Sequence, residues 1–142
     1  MPATADSLAA EIAAMEGVVA LESAYGRFFM YDPEGTGGHV FPMATILEDD
    51  ANDTWSDLDR DGVFCVNIGV DKETFLALFG AKASELGARD YTARDTLLPH
   101  PDYGAQYFVR VLNPDATLGT VRELLAIAHG VAAKRTRSGQ KA

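Results

Sequence analysis

The sequence is poor in the residues that cross-link a chain or embed it in a bilayer. It carries one cysteine, Cys65, so no intramolecular disulfide framework can form and a reducing compartment is the natural setting. No apolar run approaches the ~20 residues of a membrane-spanning helix. Asp6 and Glu11 stand where a secretory signal would need a basic start and an unbroken apolar stretch. A cytoplasmic protein without a membrane partner is the expectation. Positive charge is scarce too: 12 basic against 21 acidic residues give a formal net charge of −9, which repels phosphate backbones and opposes counterion-release binding. Nucleic acid is therefore not an expected partner. The three histidines, His39, His100 and His129, have no metal-ligand spacing. G-x-S-x-G, a Walker loop, a dinucleotide fingerprint and CxxC are all missing, so no cofactor is expected.

What is present is a chain with 47% hydrophobic residues, enough for one core and one domain over residues 7–133. Its clearest signal runs from Asp57 to Gly80. Phe64, Val66, Ile68 and Val70 alternate with Val63, Cys65, Asn67 and Gly69, the period of a strand with one face buried more deeply. Asp71 then reads as a helix N-cap with Glu73 in the first turn, and Gly80 as a left-handed stop. Phe75, Leu76, Leu78 and Phe79 make that helix too apolar to stand in water, so it must lie on the sheet.

The rest of the chain follows the same rules. Leu8, Ile12 and Met15 give an amphipathic helix over 7–16. Residues 18–23 and 27–31 read as a hairpin, 32–39 as a glycine-rich loop, and 41–47 as a third strand with Pro42 near its entry. The acidic stretch 48–61 is expected to be an exposed connection, with Trp55 folded back onto the domain. Residues 81–105 have no period, 106–112 form another strand, and Leu118, Val121, Leu124, Leu125, Ala128 and Val131 mark the longest amphipathic helix, capped by Thr117. Residues 134–142 are expected to be a frayed basic tail. Three one-faced helices against mostly antiparallel strands predict an α+β fold, a two-layer sandwich with helices on one sheet face and the other face partly open.

The FPMATIL segment, then SDLDRDGVFCVNIGVDKETFLALFG, then LLPHPDYGAQYFVRVLNP resemble an uncharacterised family of actinobacterial proteins across most of residues 8–133. The element order, the HP-containing segment, QYFVRVLN and the closing LGTVRELLAIAHGVAAK are similar to the wider MmcQ/YjbR-like group. That resemblance implies a CyaY-like α/β sandwich and carries no established catalytic residues. The wider group has been thought to bind DNA, an implication at odds with the charge of this chain.

Three sets of residues could carry chemistry. Asp57, Asp59 and Asp61, ahead of Gly62, match the opening of a calcium loop, whose alternate carboxylates wrap a hard cation. The twelfth loop position, where a bidentate Glu belongs, is Ile68. His100, held extended between Pro99 and Pro101, lies close in sequence to Asp102 and Tyr103, so a carboxylate-oriented general base can be drawn, with Arg110 as the cation. A histidine that braces loop backbone is the blander account. Finally, if Phe64, Val66 and Ile68 face the helices, Cys65 and Asn67 face away, and Tyr31, Thr45 and Arg110 could join them in a ligand-binding face offering aromatic surface, an amide and a cation. A solvated sheet face alternates in the same way, and a one-residue slip in register would reverse each side chain. GTGGH before and including His39 lacks the lysine of a phosphate loop and reads as a turn; Cys65, mid-strand without a cationic neighbour, reads as packing rather than nucleophile.

The leading expectation is a non-catalytic module that binds a small ligand or a protein through the sheet face and the 35–39 loop. The alternatives are a small general acid/base enzyme centred on His100 and a weak calcium-binding protein. Nothing in the residues separates monomer from homodimer.

Overall fold

The structure, a computed structural model, describes residues 3–35, 37, 42–50 and 55–141, with side chains described as far as Arg135. Two features expected from sequence, His39 with Thr36 and Gly38 of its glycine-rich loop and the start of the third strand at Phe41, lie outside the described residues.

Alternating hydrophobicity builds six strands: β1 (Val18–Ser23), β2 (Gly26–Tyr31), β3 (Ala44–Leu47), β4 (Cys65–Gly69), β5 (Leu98–Pro99) and β6 (Phe108–Leu112). They form one sheet in the order β1-β2-β3-β4-β6-β5, and each neighbouring pair is antiparallel. The fold is α+β. β5 is absent from the sequence reading because two residues give no period to detect; Pro99 fits it because β5 is an edge strand.

Three helices cover one sheet face: α1 (Ala5–Ala13), α2 (Lys72–Phe79) and α3 (Leu118–Lys141). Leu8 and Ile12 of α1, Phe75 of α2 and Val121, Leu124 and Leu125 of α3 share a buried cluster with Phe29, Ala44, Ile46, Val66, Ile68, Val109 and Val111 of the sheet. Every one of these strand residues lies on the same side of the pleat, as period two requires. The rungs Val66 and Ile68 thus lie beneath the helices. Caps fix where the helices begin: Thr4 and Ser7 exchange hydrogen bonds in a capping box on α1, and the Asp71 carboxylate accepts from Thr74 N–H at 2.8 Å on α2, which Gly80 terminates at φ 79°. A bidentate pair between Arg122 and Glu11, at 2.9 and 3.1 Å, joins α3 to α1.

The helical backbone of α3 runs to Lys141. The far sheet face is partly open, at the cleft described below, and partly covered. There Leu58 and Val63 close over Leu47, Cys65 and Leu112 in a smaller buried cluster. Ser56 and Leu58 are fully buried, so charge density in 48–61 misrepresents the residues between the carboxylates.

Candidate functional site

Register assembles the site. Phe28 pairs with Thr45, Thr45 with Asn67, Asn67 with Arg110, and Arg110 with Leu98, so these five side chains form a row across the sheet on the face away from the helices. His100 follows Leu98 by two positions and stays on that side; its N–H donates to Phe108 C=O at 3.0 Å. The row is a hydrogen-bond chain. Asn67 Nδ2 donates to Thr45 Oγ1 at 2.9 Å, and Asn67 Oδ1 accepts from Arg110 Nε at 3.1 Å and from Cys65 Sγ at 3.5 Å. Arg110 Nη1 donates to Ser56 Oγ at 2.8 Å, and Nη2 lies 3.1 Å from His100 Nε2. Arg110 is only 1% exposed and Asn67 3%, a depth at which a polar group must be hydrogen-bonded to avoid a desolvation penalty of several kcal/mol, roughly 2–7.

Beside this chain lies a cleft of about 280 Å³. Its polar wall is Thr45, Asn67, Arg110 and His100, while Phe28, Leu47 and Phe108 supply apolar surface and Tyr103 an aromatic rim. The Phe108 ring rests on Gly69: a Cβ there would lie 2.9 Å from Phe108 Cζ. An apolar pocket with a few convergent polar groups is the usual form of a small-molecule site.

The His100 imidazole is held by backbone. Its Nδ1 accepts from the N–H groups of both Asp102 and Tyr103, each at 3.0 Å. Burial and the positive charge of Arg110 push its pKa down to about 3, so the ring is neutral at physiological pH.

Of the residues singled out in the sequence, Thr45, Cys65, Asn67, His100 and Arg110 come together, and Tyr103 and Asp102 stand at the rim. Tyr31 does not join them. It sits three positions from Phe28, an odd number, and so points to the helices, where its ring meets His129 edge-on at 5.2 Å and its hydroxyl reaches Glu16 at 3.5 Å. The carboxylate-oriented base is also not formed, because the Asp102 carboxylate accepts from Trp55 Nε1 at 3.2 Å while only its backbone N–H meets His100. Asp57, Asp59 and Asp61 do not converge: Asp59 Oδ1 accepts from Asp50 N–H at 3.1 Å and Asp57 lies 3.7 Å from Arg60 Nε. Among the described residues no group of three His, Cys, Asp or Glu side chains is arranged to hold a metal ion.

Phe28, Phe108 and Ser56 are participants the sequence reading missed. Phe108 shares the parity of Arg110 in β6 and follows from it by alternation, whereas Phe28 depends on the pairing of β2 with β3. Ser56 gave no signal, being one hydroxyl in an acidic run. Among the described residues no helix is long and apolar enough to cross a membrane.

A family model described as a family of unknown function, DUF6194, matches residues 3–141, and the chain belongs to that family. No curated protein and no solved structure matches it.

Proposed function

We propose that this DUF6194 member is a non-catalytic binding module that takes a small molecule into the cleft between β3, β4, β6 and residues 98–108. The observation that supports it is the buried Thr45–Asn67–Arg110–His100 hydrogen-bond chain running along one wall of a cleft that Phe28, Leu47, Tyr103 and Phe108 also line. Buried polar networks are costly to maintain unless satisfied, and this one presents its edge to a cavity instead of being sealed by aliphatic side chains. The general acid/base reading is weaker, since a histidine with a pKa of about 3 is a poor proton acceptor near neutrality. The calcium reading has no converging carboxylates to support it. Kinship to the MmcQ/YjbR-like group and a cytoplasmic setting belong to the same proposal, supported by the element order and by the single buried thiol, Cys65.

The test is a fragment screen by protein-observed NMR on wild type and Gly69→Ala. Fragments should perturb the amides of Thr45, Asn67, His100 and Phe108, without turnover. Gly69→Ala, which displaces the Phe108 ring, should weaken that binding while the α1 and α3 signals stay in place. A screen in which no fragment perturbs those amides removes the proposal.

A further inference from the structure

The two ends of the sheet are finished differently. β5 is two residues long and contains Pro99, and short strands and prolines are usual means of blunting an edge. β1 has neither. It pairs with β2 over six consecutive residues, contains no lysine or proline, and exposes Ala20, Leu21, Glu22 and Ser23. Asp32 N–H donates to Gly17 C=O at 2.7 Å, which directs the Gly17 backbone toward β2. Alternation along the ladder gives Val19, Leu21 and Ser23 the same direction, so Val18, Ala20 and Glu22 turn their N–H and C=O groups outward. Val18 N–H donates to Met15 C=O at 3.2 Å. The two donors and two acceptors of Ala20 and Glu22 stand on the open edge, spaced evenly about Leu21.

We propose that a second copy of this chain docks on that edge, β1 against β1, antiparallel about a two-fold axis at Leu21. Ala20 of each protomer then pairs with Glu22 of the partner subunit, and each such pair exchanges two backbone hydrogen bonds. Leu21 meets its own image across a non-hydrogen-bonded pair, where Cα atoms approach to about 4.5 Å. Leu21, 44% exposed, is the one aliphatic side chain among the large hydrophobics that the described residues leave on the surface, and this contact covers it. Neighbouring registers are worse. An axis at Glu22 sets two carboxylates opposite each other, and an axis at Ala20 calls on the Val18 N–H that Met15 holds. At Leu21 each glutamate faces an alanine and keeps its own Arg27, 3.6 Å away. Donors and acceptors spaced symmetrically about one apolar residue are what a two-fold interface requires; a foreign strand has no need of them. Leu21 pairs with Phe28 within the protomer, so the row that forms the cleft wall continues through both leucines and joins the two clefts along one face of a continuous sheet.

Sedimentation equilibrium on the full chain tests this, with Leu21→Lys and Leu21→Cys beside wild type. Wild type should pass from one-chain to two-chain mass at concentrations on the order of 10–100 µM, as suits an interface below the ~1,200 Å² of stable complexes. Each copy carries a charge of −9, so raising NaCl from about 0.05 to about 0.5 M should lower the dimer Kd at least ~3-fold. Leu21→Lys sets two ammonium groups at the axis and should stay monomeric to at least ~10-fold higher concentration, with the amide spectrum of the helices unchanged. Leu21→Cys should give a covalent dimer under oxidised glutathione, since Cα atoms about 4.5 Å apart are within disulfide reach. Ala20→Cys should not, and the buried Cys65 supplies no competing thiol. Wild type that remains a single chain at about 1 mM overturns the proposal. So does a dimer that survives Leu21→Lys, one that loosens with salt, or one that Ala20→Cys cross-links and Leu21→Cys does not, because each places the contact elsewhere.

Discussion

Protonating His100 would add a second ring N–H where every neighbour is already a donor, and would set its charge beside Arg110. Burial and that charge hold the folded-state pKa at about 3, against 6.5 for an unperturbed histidine. In the unfolded chain the ring binds a proton below about pH 6.5; in the folded chain it resists until about pH 3. The unfolded state therefore holds more protons across that window, and stability falls as pH drops through it. Thermal unfolding of His100→Gln, followed from pH 7 to pH 4.5, should show a shallower decline in Tm than wild type. Parallel curves would mean that the imidazole titrates normally and that its ring of donors is not maintained in solution.

At the scale of elements, the start of α3 is held from a distance. Asp95 lies in the irregular segment after α2, at φ 53°, and its carboxylate accepts from the N–H groups of Asp115, Ala116 and Thr117 at 2.8–3.0 Å and from the Thr117 hydroxyl at 2.6 Å. Those hydrogen bonds, the Thr117 hydroxyl first, hold its carboxyl well below the usual 3.8. The stabilisation is present above that ordinary value and is lost as pH falls below it, a more acidic window than that of His100. Asp95→Ala should cost about 1–2 kcal/mol by denaturant unfolding, the amount typical of a lost N-cap, plus strain from a left-handed backbone without a short polar side chain. Asp95→Asn keeps that conformation and one acceptor, and should cost less. Equal losses for both would show that the carboxylate charge adds nothing at the helix start.

The same element shows which parts of the fold were legible in sequence. Local signals worked where an element carries its own: Asp71 and Gly80 bracket α2 as read, and the rungs of 64–70 lie under the helices as read. Thr117 is legible as an α3 cap because it is adjacent; Asp95, 22 positions away by chain, is beyond any local pattern. The site divides along the same line. Asn67 and Cys65 followed from alternation within β4, but which residues of β2, β3 and β6 share their row depends on register, and register is set by pairing across the sheet. For the same reason alternation alone does not place Tyr31, whose ring meets His129 on the helix side. Ser56 was invisible because its burial is decided by Leu58 and by the guanidinium it meets.

For the whole molecule, the two sheet faces are built from contacts of different kinds. The helix side is one continuous apolar cluster drawn from three helices and four strands. The cleft side is a short polar chain with a small apolar satellite around Leu58, and its covering segments, 55–63 and 89–106, contain little regular structure. Regions with few buried apolar contacts open at lower free energy than the core. Native-state hydrogen exchange should thus separate amides of 56–63 and 89–104, exchanging through partial opening, from those of β4, β6 and α3, exchanging only on global unfolding. Equal protection on both sides would mean that the coverings fold with the core as one unit.

The guanidinium of Arg110 reaches Ser56 across 54 positions of sequence and Asn67 across 43. Closing loops of that size has an entropic cost repaid only when the partners are already in place. The helix-side core closes loops of similar or greater length, Val66 against Val111 and Glu11 against Arg122, so the β4–β6 pairing that sets the core also brings Arg110 to Asn67, and only the contact with Ser56 waits on the covering segment.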